Sequence, residues 1–427
     1  MSQLKNMSLS ELTRHQEELQ KQYDMYKNET IRLDMSRGKP SQEQLDLSMD
    51  MLTVLTNESH VVDANETDIR NYGLLDGIPE AKEWFGTMFE MAADQIIVGG
   101  NSSLALMHDT VARAMLHGVD ADATPWAKLP KVKFICPTPG YDRHFSICEL
   151  FDIEMISVEM TEDGPDMDQV ETLVANDEAI KGIWCVPKYS NPEGITYSDQ
   201  VVQRLSKMET KATDFRIFWD NAYAIHHLTD TPDELLDIVK QCEHAGVPNR
   251  VYQFASTSKV TFPGSGISAF MASKENIQFA KKLMGIQTIG ADKINQSRHI
   301  RFFEQIGGVE KLMKQHAAII KPKFDQVLST LEQKLAEKEI ADWTTPNGGY
   351  FISLNTMEGC AKRVVSLAAD VGVTLTGAGA TYPYGKDPVD RNIRIAPTFP
   401  SLGELKKAME ILCLCVELAA VEKVIKQ

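Results

Sequence analysis

No stretch of the chain approaches the run of about 18 apolar residues that a membrane-spanning helix requires. The first residues, Met1-Ser2-Gln3-Leu4-Lys5-Asn6, are polar, so no apolar signal core is expected there. Positive charge is in deficit: 44 Lys and Arg stand against 60 Asp and Glu, a formal net charge of -16. A nucleic-acid surface needs a basic face and an anionic membrane attracts one, so neither partner is expected. Cysteine is sparse and scattered, at Cys136, Cys148, Cys185, Cys242, Cys360, Cys413 and Cys415. No two form a C-x-x-C pair or a metal-ligand spacing, so no metal site is expected. An odd, scattered set fits reduced thiols in a cytoplasm. Internal repeats and low-complexity tracts are absent.

What is present is ordinary globular composition, 43% hydrophobic and 24% charged over 427 residues. A chain of this length buries one large core or two smaller ones. Ser8 to Glu11 reads as a capping box opening an amphipathic helix over 8–28. An alternating strand-like piece from Ile31 runs into Arg37-Gly38-Lys39-Pro40. There glycine allows close backbone approach between two cations, which suits a carboxylate or phosphate cradle and equally an ordinary turn. Turn residues surround Tyr72, and a helix follows over 81–92. The strand Ile96-Ile97-Val98 leads into Gly99-Gly100-Asn101-Ser102-Ser103 and a helix. A glycine turn with hydroxyls at a helix N-terminus can bind an anion through free N–H groups. Neither nucleotide-loop fingerprint matches it, and Ser102 as a plain helix cap is the simple alternative.

Further strands are expected over 132–136, 154–158, 182–186, 215–219, 251–255 and 267–271, with helices between. That alternation argues for an α/β fold: a mainly parallel, mixed sheet covered by helices. Such sheets bind ligands at the carboxyl ends of their strands. Gly100 to Ser103, Tyr141, Asn191, Asp220 to Tyr223 and Ser256 to Lys259 all fall at such ends. Asp220 directly after a buried strand is either a cap or the partner of a bound cation. Lys259 follows three hydroxyl residues and precedes a Pro-Gly break. A lysine so placed can be partly desolvated, which frees a neutral amine for Schiff-base chemistry. A long helical stretch over 297–338, interrupted at Pro322, leads to a second, smaller α+β region. This contains strands over 348–354 and 392–396, the latter carrying Arg394, and a terminal helix over 401–424.

Taken in order, these motifs resemble the fold-type I pyridoxal-phosphate enzymes, and among them the class I aminotransferases. Ser36-Arg37-Gly38-Lys39-Pro40-Ser41 and Ser256-Thr257-Ser258-Lys259-Val260-Thr261-Phe262 resemble the bacterial aspartate aminotransferases of subgroup Ic. The resemblance implies pyridoxal 5'-phosphate as cofactor, with Lys259 in Schiff-base linkage to it and moving the proton. It implies that Asp220 pairs with the ring nitrogen, that Tyr223 and Asn191 bind the phenolic oxygen, and that Tyr141 stacks on the ring. Asn101, Ser102, Ser103, Ser256 and Ser258 would hold the phosphate. Tyr72 would reach the phosphate of a neighbouring subunit, which implies a homodimer with shared sites. Arg394, helped by Gly38, would grip the α-carboxylate of an amino acid or 2-oxo acid. The implied division is an N-terminal segment, residues 1–60, belonging with a small C-terminal unit, 306–427, and a large cofactor-binding unit, 61–305.

The pattern departs from the family in two places. The phosphate-binding arginine usually found seven or eight residues after the lysine is replaced by Gly266 and Ile267. The arginine that selects dicarboxylic substrates has no clear counterpart; Lys293, Arg37, Lys39 and Arg298 are candidates. The expected reaction is transfer between L-aspartate and 2-oxoglutarate. An aminotransferase for alanine or aromatic amino acids, a carbon–sulfur lyase, and a non-catalytic cofactor-binding regulator are the alternatives.

Overall fold

The computed structural model describes residues 3–427. In chain order the N-terminal part comprises α1 (Leu9–Lys27), β1 (Leu33–Asp34), α2 (Gln42–Asp46), α3 (Pro79–Phe89), β2 (Ile96–Gly99) and α4 (Ser103–His117). The middle comprises β3 (Lys133–Thr138), α5 (Asp142–Leu150), β4 (Glu154–Thr161), β5 (Gly164–Pro165), α6 (Met167–Asn176), β6 (Ile180–Cys185) and α7 (Asp199–Lys207). It continues with β7 (Arg216–Asp220), α8 (Ile238–His244), β8 (Val251–Ser256), β9 (Ser268–Ala272), α9 (Lys274–Gln287) and α10 (Lys293–Ile306). The last part is α11 (Val309–Leu335), β10 (Ala341–Trp343), β11 (Ile352–Thr356), α12 (Ala361–Asp370), β12 (Val373–Thr374), β13 (Asn392–Ile395) and α13 (Leu402–Ile425).

The main sheet has 8 strands in the order β2-β9-β8-β7-β6-β3-β4-β5. The contacts β8–β7–β6–β3–β4 are parallel, while β9 runs antiparallel to β2 and β8, and β5 to β4. The sheet is therefore mixed and mainly parallel. Its inner strands are buried on both faces, which is why β6, β7 and β8 read as mostly apolar runs rather than alternating ones. Phe134, Phe218, Phe254 and Phe270 pack on one face, with Phe218 and Phe254 stacked at 6.2 Å. Truncating any one of them to Ala would cost about 3–5 kcal/mol.

A smaller antiparallel sheet, β10-β11-β13, and the parallel pair β1-β12 form the second layer system. Leu33 lies opposite Val373, so the N-terminal strand pairs with a strand near the C-terminus. The capping box at Ser8 is formed: Glu11 accepts from the Ser8 N–H at 2.7 Å. Helix α1 packs on α13, where His15 contacts Glu417 at 2.9 Å, and its Tyr23 Oη donates to Leu367 O of α12 at 2.8 Å. Helix α13 is buried nearly all round, from Leu405 to Val421.

The helical stretch expected to break at Pro322 breaks elsewhere. Helix α10 ends at Gly307, with φ +84°, and Gly308 follows at φ +105°, backbone that only glycine adopts without strain. Pro322 lies inside the continuous helix α11, which forgoes the one hydrogen bond that residue would have donated. The short strands β5 and β10 were not anticipated. No helix among the described residues is long and apolar enough to cross a membrane.

Candidate active site

The carboxyl ends of β3, β6, β7 and β8 converge on a cleft of about 550 Å³, closed from the other side by the 36–39 turn, β12 and β13. Tyr141, Asn191, Tyr223 and Lys259 line it from the main sheet. Arg37, Gly38, Phe351 and Arg394 line it from the second layer.

Lys259 sits just past β8, half-buried. Its Nζ lies 5.1 Å from the centre of the Tyr223 ring and 5.8 Å from that of Tyr350. Burial pushes its pKa below the ordinary lysine value; Asp220 opposes that shift, and Arg394 adds to it. The lysine backbone is pinned from outside the strand. His226 Nε2 and Tyr350 Oη each approach the Lys259 carbonyl at 3.4 Å. Gln44 Nε2 contacts Tyr350 Oη at 2.8 Å and His316 Nδ1 at 3.1 Å, and His316 Nε2 contacts Val260 O at 2.9 Å. Because Gln44 donates to Nδ1, His316 carries its proton on Nε2 and donates it to Val260.

Asp220 ends β7 and is 3% exposed. Its Oδ2 lies 3.0 Å from His144 Nε2, and its Oδ1 is buried without any partner. His144 is held by stacking on Trp184, centroids 4.3 Å apart. A buried carboxylate oxygen left unpaired costs free energy, so this atom calls for a donor that the described residues do not supply. Tyr141 packs edge-on to His144 at 4.9 Å, its hydroxyl pKa raised by burial. The Tyr223 hydroxyl and the Asn191 amide nitrogen make no hydrogen bond among the described residues, and both residues are buried.

Arg394, in β13, is 6% exposed and lies over the Phe351 ring at 4.9 Å. Its Nη1 donates to Asp142 Oδ1 at 2.9 Å and Asn191 Oδ1 at 3.2 Å; its Nη2 donates to Thr376 Oγ1 at 3.3 Å. Gly38 lies flat on the same phenyl ring. A Cβ there would meet Phe351 Cζ at 2.5 Å, so only glycine allows the turn to close the cleft.

At the end of β2, Ser102 caps α4 by position but its hydroxyl makes no capping bond. The first amides of α4 therefore keep their donors free. Ser103 is buried, while Asn101 is exposed. This turn is tied to the lysine loop: Ser256 Oγ donates to Ser258 Oγ at 3.1 Å, and Ser258 Oγ to Asn101 O at 3.0 Å. Two expected residues stand apart from the cleft of their own chain. Tyr72 is 80% exposed, and Lys293 donates its Nζ to Gly73 O at 3.1 Å. Sequence reasoning passed over Asp142, Arg143, His144, Tyr350 and Phe351. The run Tyr141-Asp142-Arg143-His144, opening a helix directly after a strand end, could have flagged the first three. Tyr350 and Phe351 carry no local signal.

Over residues 7–427 the chain matches the family described as aspartate amino-transferase. It is 48% identical over 406 residues to the aspartate aminotransferase of Corynebacterium glutamicum, covering 95% of this chain and 94% of that one. The crystal structure of an aspartate transaminase from Corynebacterium glutamicum superposes with a TM-score of 0.96 at 46% identity, over 99% of each chain. An α-aminoadipate aminotransferase from Thermus thermophilus, 17% identical, shares the fold with a TM-score of 0.74, covering 90% of this chain and 92% of that one. With the lysine, the unpaired aspartate oxygen and the buried arginine at the expected strand ends, the chain belongs to the aspartate amino-transferase family and is an aminotransferase of fold-type I architecture.

Proposed function

We propose that this aminotransferase moves the amino group of L-aspartate to 2-oxoglutarate, giving oxaloacetate and L-glutamate, with pyridoxal 5'-phosphate as cofactor. The charge of the cleft carries this reading. Arg37, Lys39, Arg143, Lys259 and Arg394 line it against the single carboxylate of Asp142, in a chain of net charge -16. A substrate with two carboxylates matches that excess; alanine or phenylalanine leaves half of it unpaired. The exposed Arg37 and Arg143 are placed to take the distal carboxylate once Arg394 holds the first. Lys293 is spent on Gly73 O, away from the cleft.

The residues fit the cofactor. Asp220 Oδ1 is buried and unpaired, Asn191 and Tyr223 offer free donors, and the Ser102 hydroxyl is unused. Pyridoxal phosphate supplies an aldehyde that condenses with amines and a ring that delocalises the electron pair left when a Cα proton departs. Asp220, anchored by His144, would hold the ring nitrogen in its protonated form. Asn191 and Tyr223 would donate to the phenolic oxygen, and Tyr141 would lie against the ring. Lys259, its basicity lowered by burial, would act as a neutral amine that takes up the substrate Cα proton and gives it back. Arg394 fixes the α-carboxylate, with Asn191, Asp142 and Thr376 holding the guanidinium in place.

The site is proposed to be completed in a homodimer. Tyr72, Ile286 and Ile289 are 80%, 86% and 58% exposed in one chain, and Gly290 packs against Gly73 O, so these side chains share one apolar patch. All seven cysteines are buried free thiols, which supports a cytoplasmic location. Incubation of the reconstituted enzyme with L-aspartate and 2-oxoglutarate is expected to give oxaloacetate and L-glutamate in equal amounts, with dimers in light scattering. Release of ammonia in place of glutamate, or full activity as a monomer, would overturn the corresponding part.

A further inference from the structure

In the resembling enzymes an arginine seven or eight residues after the lysine binds the cofactor phosphate; here those positions hold Gly266 and Ile267. The structure shows why no side chain stands there. A Cβ at Gly266 would lie 3.0 Å from Thr257 Oγ1 and 3.4 Å from the carbonyl oxygens of Asn101 and Phe262. The loop is pressed against the Gly100–Ser102 turn, and Asn101 Nδ2 donates to Pro263 O at 3.2 Å.

Helix α10 packs on the other side of the same loop. Asn295, Arg298 and His299 are three and four residues apart and so share one helix face. Asn295 Nδ2 donates to Ser265 O at 3.2 Å and to Gly266 O at 2.9 Å. His299 Nε2 contacts Thr261 Oγ1 at 2.9 Å. Between them Arg298 Nη2 donates to Ser265 Oγ at 2.9 Å and to Asn295 Oδ1 at 2.5 Å. Its Nε is buried and makes no hydrogen bond. It forms no ion pair among the described residues, and Asp292, the N-cap of the same helix, uses its carboxylate to accept from Asn295 N at 2.9 Å. A guanidinium with a buried, unsatisfied N–H and no carboxylate is costly unless an anion joins it.

We propose that Arg298 supplies the cationic ligand of the cofactor phosphate, reaching from α10 across Ser265 in place of the missing arginine. This rests on the aminotransferase reading above. Asn295 and Ser265 hold the guanidinium in orientation, and the glycine at 266 leaves the loop thin enough for the reach.

The test compares cofactors with and without the phosphate. Apo-protein is titrated with pyridoxal 5'-phosphate and with pyridoxal, following the visible absorbance of each complex. Arg298→Ala is expected to weaken pyridoxal phosphate roughly 10- to 100-fold, as loss of a charged hydrogen bond does, and to leave pyridoxal within about 3-fold. Arg298→Lys should recover part of the loss. Arg298→Gln, which keeps a donor for Ser265, should melt like the wild-type apo-protein and still lose phosphate discrimination. Equal weakening of both ligands, or wild-type discrimination in Arg298→Gln, would overturn the assignment. Failure of the wild-type protein to bind pyridoxal phosphate at all would instead sink the cofactor reading on which it rests.

Discussion

Lys259 and Asp220 are opposite solutions to burial. Asp220 keeps one oxygen on His144 and leaves the other unpaired. Lys259 makes no hydrogen bond through Nζ, and burial drives its pKa down. The sign of that shift sets a stability consequence. A lysine whose folded pKa lies below its unfolded value weakens the fold while charged, and the penalty is relieved as pH rises from the folded pKa toward about 10.5. Cofactor-free Lys259→Met is therefore expected to melt above the wild-type apo-protein at pH 7, with the gap narrowing toward pH 10. A gap that stays constant or widens would show the lysine to be hydrated. Both residues were legible in the sequence, because each follows a strong apolar strand. Tyr350 and Gln44 were not, since they reach the lysine carbonyl from distant segments through side-chain bonds with no periodic signature.

At the scale of elements, the strands were readable wherever both faces are buried, as in β6, β7 and β8. Their ends fell within a few residues of expectation because polar or turn residues follow each one. Short strands such as β5 and β10 depend on a partner rather than on their own composition, and so left no mark. The break after α10 was misplaced because proline is the louder signal, yet paired glycines at positive φ end a helix more completely than one proline inside it. Helix α10 also has a pH signature. His299 donates Nδ1–H to Asn295 O at 2.8 Å, and burial holds its pKa down at about 4. His226 is likewise held at about 3. Histidines kept neutral in this way stabilise the fold above about pH 6.5 relative to acid, and stability falls by up to about 1.4 kcal/mol per pH unit for each as pH drops below that. The urea midpoint of His299→Gln should decline less steeply than wild type between pH 6.5 and 4.5. Parallel curves would mean that His299 titrates normally.

At the scale of the molecule, the described residues form four hydrophobic clusters. One joins Leu12, Tyr23 and Leu33 to Leu331, Val373 and Val416, so the N-terminal segment returns to the C-terminal third. Two others cover the two faces of the main sheet. The clusters cross the proposed boundaries at residues 60 and 305: Val186, Tyr189, Tyr223 and Leu228 pack with the first, and Met51 packs with Phe302, Phe303 and Leu312. The lysine sits on one side of the cleft and Arg394 on the other. The order of motifs made that arrangement legible. The charge of the cleft was not, because Arg37, Arg143 and Arg394 are far apart in the chain and only folding gathers them. The most direct measurement is the single-turnover rate at which each amino acid bleaches the visible absorbance of the reconstituted enzyme. L-aspartate and L-glutamate are expected to react at least about 100-fold faster than L-alanine or L-phenylalanine, the advantage of one additional charge-assisted pair, and Lys259→Ala should not react. Rates for alanine or phenylalanine equal to those for aspartate would contradict the dicarboxylate assignment.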